Sequence, residues 1–220
     1  TPQTVTFGNN ASFLNPKPFG AVDFTPATYS ASSGLPVTLS VDPASTGVCS
    51  VIAGKIHTLG VGQCTLIASQ AGNDTYAAAS KSRTYTISKG SLTITATVSK
   101  VSYFSDESAP KFSFSVSGLV NGDSVAGVTY NITKQGAQVL ADAGRPGAAL
   151  PTQPGYYRVV PSPTLTPAQS ANYDVTAVPA SYCLKNASLK SATGLVVCLD
   201  QAGHDNDVTN LNFNWAAGVS

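Results

Sequence analysis

Apolar and polar residues alternate with period two through much of the chain. In Val37-Thr38-Leu39-Ser40-Val41 the odd positions are apolar. In Leu92-Thr93-Ile94-Thr95-Ala96-Thr97-Val98 and in Phe112-Ser113-Phe114-Ser115-Val116 the even positions are. Successive side chains on a strand point to opposite faces, so each run predicts a strand with one buried face and one wet face. The wet positions are mostly Ser and Thr, and Thr suits a pleated, half-buried surface. Turn signals separate the runs: Ser33-Gly34-Leu35-Pro36, Ala53-Gly54, Gly60-Val61-Gly62, Asn121-Gly122-Asp123 and Pro154-Gly155. Short strands punctuated this often predict an antiparallel sandwich or barrel. No stretch of about ten residues has helical periodicity, and Gly and Pro recur too closely for an amphipathic helix.

A weak internal repeat divides the chain. Gln70-Ala71-Gly72-Asn73-Asp74-Thr75-Tyr76 precedes Tyr85-Thr86-Ile87-Ser88-Lys89, and Gln169-Ser170-Ala171-Asn172-Tyr173 precedes Tyr182-Cys183-Leu184-Lys185. In each copy a polar loop with Asn and Tyr leads into a final strand that ends in Lys. The same corner of two similar domains is expected, with domains over 1–88 and 89–185 and an extension over 186–220. The junction Ile87-Ser88-Lys89-Gly90-Ser91-Leu92 leaves almost no room for a flexible linker. A semi-rigid arrangement is the expectation.

Composition narrows the class. Charged residues are 10% of the 220, hydrophobic residues 42%, and the formal net charge is +1. A disordered chain shows the opposite balance, so this one is expected to fold. The basic residues are scattered singly, which argues against binding a nucleic-acid backbone. No apolar run approaches the length that spans a bilayer, so no membrane insertion is expected. The chain opens at Thr1 without an initiator Met, so the lack of a signal peptide says nothing of the compartment.

The segment from Gly47-Val48-Cys49-Ser50-Val51 through Gly60-Val61-Gly62-Gln63-Cys64-Thr65-Leu66-Ile67-Ala68 to Gln70-Ala71-Gly72-Asn73 resembles bacterial Ig-like repeats of large surface proteins. With Gln3-Thr4-Val5-Thr6-Phe7 and Ser32-Ser33-Gly34-Leu35-Pro36-Val37, the resemblance covers nearly all of the first domain. The second domain resembles the MBG type of bacterial repeat through Leu92-Thr93-Ile94-Thr95-Ala96, Phe114-Ser115-Val116-Ser117-Gly118-Leu119-Val120-Asn121-Gly122-Asp123 and Ala171-Asn172-Tyr173. It departs from that pattern at Tyr103-Phe104-Ser105-Asp106, where the family often has Tyr-Gly-Asp. The resemblance implies an all-β chain of tandem immunoglobulin-like antiparallel sandwiches, extracellular or at a cell surface. It implies a structural or adhesive role and carries no shared active site.

Four cysteines, Cys49, Cys64, Cys183 and Cys198, allow three pairings. None lies in a Cys-x-x-Cys or a zinc spacing with a histidine, so disulfides in an oxidising compartment are expected over free thiols. Cys49 and Cys64 fall on candidate strands, and closing a loop of about 15 residues is worth roughly 3 kcal/mol. Cys183 falls in the last strand of the second domain and Cys198 in the extension. A bond between them would pin 186–220 back as a stapled element; the alternative is that this stretch begins a third domain.

Other candidates carry weaker chemistry. Asp200, Asp205, Asn206 and Asp207 make an oxygen-rich stretch of the kind that binds calcium. The calcium-loop pattern wants Gly and Glu where Asn210 and Ala216 stand, so a solvated loop is the competing reading. His57 lies in a predicted strand and neither it nor His204 has a Gly-x-Ser-x-Gly elbow to serve. Glu107 is the only Glu, and no Asp stands out to pair with it as in glycoside hydrolysis. Phe213 and Trp215, flanked by Asn212 and Asn214, would either stack on a sugar, anchor a protein partner or plug a core. Asn-x-Ser/Thr sequons begin at Asn10, Asn73, Asn131 and Asn186, as chance allows in a chain this rich in Ser and Thr. The expected function is a non-catalytic stalk or adhesive segment, with a glycan- or protein-binding accessory module as the alternative. Its expected partners are a surface protein or glycan of a host or neighbouring cell, or further copies joined through the extension.

Overall fold

The computed structural model describes residues 1–8, 16–134, 137–140 and 150–189. Sixteen strands, one short α-helix and two single-turn 3-10 helices are assigned among them. By contact the chain divides into two compact units, the first of residues 1–92, 118–124 and 165–175, the second of 93–117, 125–164 and 176 onward.

The first unit is built on a sheet of β2 (Lys17–Pro18), β8 (Ala79–Ser88), β7 (Gly62–Gln70) and β4 (Thr38–Val41), in that order. β1 (Val5–Phe7) pairs with β3 (Tyr29–Ala31), and β5 (Cys49–Ile52) with β6 (Lys55–Thr58). β7 alternates cleanly: Cys64, Leu66, Ala68 and Gln70 are buried while Gln63 and its fellow odd positions turn outward. Val5 and Ala31 pack against Ala68, with Val37 and Leu39 alongside, so β1–β3 covers the inner face of the main sheet as the second layer of a sandwich. The β5–β6 hairpin turns at Ala53 (φ 49°) and Gly54 (φ 75°), the two positive φ angles that a two-residue hairpin loop demands.

In the second unit β10 (Ser102–Phe104), β16 (Ala180–Lys185), β14 (Gly155–Thr164), β12 (Gly127–Lys134) and β13 (Ala137–Leu140) form one sheet. A second sheet has the order β11 (Phe112–Ser117), β9 (Gly90–Val98), β15 (Tyr173–Val178). Ala96 of β9 packs in one core with Tyr103, Tyr130, Ile132, Tyr157, Val159, Tyr182 and Leu184 of the larger sheet. Tyr182 is at its centre, stacked on Tyr157 at 5.4 Å between ring centroids and tilted against Tyr103 and Phe112 at 5.9 Å. Burial pushes the hydroxyls of Tyr103, Tyr130, Tyr157 and Tyr182 above their ordinary pKa.

The all-β, immunoglobulin-like sandwich architecture is thus present, with three departures from expectation. The sheets are not wholly antiparallel: β2 runs parallel to β8, and β10 parallel to β16. In each case a short early strand leaves the sheet where its predecessor pairs and joins the last strand of the other, which closes that sheet's edge. Phe114, placed by its alternation on a buried face, is 42% exposed. It lies on an edge strand opposite the small Ala96, so the core reaches it from one side only. Finally, a helix, α1, forms at Pro167–Asn172. Six residues are too few for a periodic signature. Its mark is the start signal Thr166-Pro167-x-Gln169, in which Thr166 and Gln169 cap each other.

Candidate functional site

A set of long-range polar contacts in the first unit surrounds Tyr173. The ring is 2% exposed and meets Phe19 edge-to-face at 5.3 Å. Its hydroxyl donates to Asp123 Oδ2 at 2.7 Å and accepts the Val120 N–H at 3.1 Å. Burial and the bond to Asp123 push that hydroxyl above its ordinary pKa.

Each contributing segment is held by local chemistry. The turn at Asn121 (φ 55°) and Gly122 (φ 77°) takes the Asn-Gly pair that such a turn favours, and Asn121 Nδ2 donates to Thr58 O at 2.9 Å. Gly118 (φ 94°) lies so close to β9 that a Cβ would meet Ser91 O at 2.0 Å. The capped helix α1 delivers two side chains: Gln169 Nε2 donates to Ser124 O at 2.9 Å, and Asn172 Oδ1 accepts the Val61 N–H at 3.0 Å. Lys89 alone separates β8 from β9, and its ammonium donates to Ser170 O at 3.1 Å and Tyr173 O at 3.3 Å, with Asp174 at 3.6 Å.

The two copies of the sequence repeat do different work. Tyr85 and Tyr182 are both buried on late strands, as the repeat suggests. Asn73 accepts the N–H groups of Thr75 and Tyr76 in its own loop, whereas Asn172 reaches Val61. The Tyr85 hydroxyl accepts the Ala27 N–H at 3.0 Å, but the Tyr182 hydroxyl is buried with no hydrogen-bond partner among the described residues.

Cys49 and Cys64 form a disulfide that joins β5 to β7, with Cα atoms 5.7 Å apart and both residues buried. Cys183 is disulfide-bonded and buried; Cys198 lies outside the described residues, as do Asp200, Asp205, Asp207, Phe213, Trp215 and His204. His57 Nδ1 is 2.8 Å from Asp23 Oδ1, and Ser50 is its cross-strand neighbour, but among the described residues no hydroxyl hydrogen-bonds the imidazole. Glu107 closes a local turn, accepting the Phe104 N–H at 3.1 Å. Among the described residues no group of three His, Cys, Asp or Glu is placed to hold a metal. No helix among them is long and apolar enough to cross a membrane.

What this arrangement can do is position and stiffen. The Asp123 carboxylate bonds the Tyr173 phenol, and the Lys89 ammonium bonds two backbone carbonyls beside the exposed Asp174. The shortness of the junction over residues 87–92 was legible in the sequence; the long-range partners of Tyr173 and Lys89 were not, because they pair residues 50 or more positions apart.

No curated protein matches the chain. Among solved structures, the N-terminal four Ig domains of Dscam1 isoform 9.44 match at 11% identity and a TM-score of 0.34, over 84% of this chain and 46% of that one. The fibronectin(III)-like modules of Clostridium thermocellum CbhA match at 15% identity and TM-score 0.29, over 87% and 99%. Drosophila N-cadherin EC1-3 matches at 14% and 0.26, over 84% and 68%. The chain thus spans about half the length of the Dscam1 structure, and likenesses this low have no bearing on function. Residues 92–182, from β9 to β16, match the family model described as MBG domain (YGX type), and this stretch of the chain carries an MBG domain.

Proposed function

We propose that this chain is a non-catalytic structural and adhesive segment of a bacterial cell-surface protein, acting as a semi-rigid stalk. The observation that carries the reading is the passage from β8 to β9 through Lys89 alone, with its ammonium bonded to the carbonyls of Ser170 and Tyr173. A one-residue passage has almost no conformations to lose, and two hydrogen bonds from a cation hold it further. The MBG domain at 92–182 and the buried Cys49–Cys64 disulfide support an extracellular location. The domain boundaries in this reading are 1–88 and 89–185, with 186–220 as an extension. Its partners are a protein or glycan on a host or neighbouring cell, met through loops carried on the sandwiches.

Backbone amide relaxation by NMR tests the reading, on the full chain and on a variant with a Gly-Ser insertion after Lys89. The expected result is one common tumbling time for residues before and after Lys89 in the natural chain and two in the variant. Independent tumbling in the natural chain would sink the stalk reading.

A further inference from the structure

The edge strand β11 offers a surface that the stalk reading does not use. β11 terminates the sheet β11-β9-β15, and among the described residues only β9 pairs with it. Every second residue along such an edge presents its N–H and C=O groups outward, as a template for another strand. Proteins blunt such edges with charge, proline or a bulge. Between Phe112 and Ser117 there is no charge and no proline, and the register with β9 runs unbroken from Phe112↔Val98 to Ser117↔Thr93. The opposite edge, β15, differs: it carries Asp174, exposed beside Lys89. At the middle of β11 stands Phe114, 42% exposed, a large apolar ring on an open edge.

We propose that β11 is a homophilic docking edge, and that its occupant is β11 of a second copy of this chain, added antiparallel about a two-fold axis through Phe114. The sequence of the strand is self-complementary in that register. Phe114 faces the second copy's Phe114, Phe112 faces its Val116, and Ser113 faces its Ser115. All apolar side chains then share one face of the joined sheet and all hydroxyls the other, as the period-two pattern requires. Lys111 falls opposite Ser117, so no like charges meet. The result is a continuous sheet of six strands with an isologous, closed contact. A six-residue strand buries little surface, which places the contact among weak, transient interfaces. Such a contact takes effect where many copies stand side by side at high local concentration.

The test uses the full chain. Sedimentation velocity over a concentration series should show a monomer–dimer equilibrium. Phe114→Lys should raise the dimer dissociation constant by about tenfold or more, while circular dichroism and the thermal midpoint stay unchanged. A benzophenone amino acid at position 114 should, on irradiation, join two chains through the 112–116 segment of each. A chain that stays monomeric across the series overturns the proposal. So do photo-crosslinks confined to one chain, or crosslinks between chains that avoid β11.

Discussion

The phenol of Tyr173 donates to Asp123 Oδ2 at 2.7 Å and accepts the Val120 N–H at 3.1 Å, so one buried hydroxyl satisfies two groups 50 or more residues away. Tyr182, on the strand that follows β15, buries its hydroxyl with no partner among the described residues. Removing each hydroxyl should therefore have opposite consequences.

Tyr173→Phe leaves the Val120 N–H unpaired and takes a donor from Asp123. Loss of a satisfied, partly charged bond of this kind costs about 2 kcal/mol. Urea denaturation should show the midpoint falling with an unchanged slope. Asp123→Asn keeps a hydrogen-bond acceptor without the charge and should lose less.

Tyr182→Phe removes a polar atom that is desolvated with no compensating bond from the described residues. Stability should stay level or rise by about 1 kcal/mol, since an apolar replacement of the same shape avoids that cost. A loss comparable to that of Tyr173→Phe would show that the hydroxyl has a partner.

The four core tyrosines of the second unit predict a sharp alkaline limit. Their folded pKa values are raised by burial from the ordinary 10.0. A raised folded pKa contributes stability that is whole below the unfolded value and is lost as pH rises above it. Stability should thus be flat with respect to these groups below about pH 10 and fall above it. Tyrosinate absorbance at high pH should appear together with loss of tertiary circular dichroism rather than before it. Early ionisation of all nine tyrosines in a folded chain would contradict this.

Ala53 sits at φ 49° in the β5–β6 turn, a conformation that costs an L-residue with a Cβ about 1 kcal/mol. Ala53→Asn restores the Asn-Gly pair that this turn prefers and should stabilise the chain by roughly 0.5–1 kcal/mol, read as a higher thermal midpoint. The Cys49–Cys64 bond that anchors the same hairpin to β7 is worth more. Replacing both cysteines by Ala should cost roughly 3 kcal/mol, the chain-entropy value for a loop of about 15 residues.

Local physics wrote much of this fold into the sequence. Alternation with period two placed β4, β9 and β11, because a strand's neighbours in sequence alone decide which side chains share a face. The Gly residues at 34, 54 and 122 marked turns that the structure makes with positive φ. The junction over residues 87–92, short in the sequence, holds a single residue, Lys89, between β8 and β9. Tertiary structure decided what local rules could not reach. It turned β2 and β10 parallel to the last strands of their sheets, and gave the Tyr173 hydroxyl a carboxylate. It also left Phe114 at an open edge although its alternation equals that of buried β9. These outcomes depend on which distant strand lies alongside, and that is settled by packing the whole sandwich rather than by any window of residues.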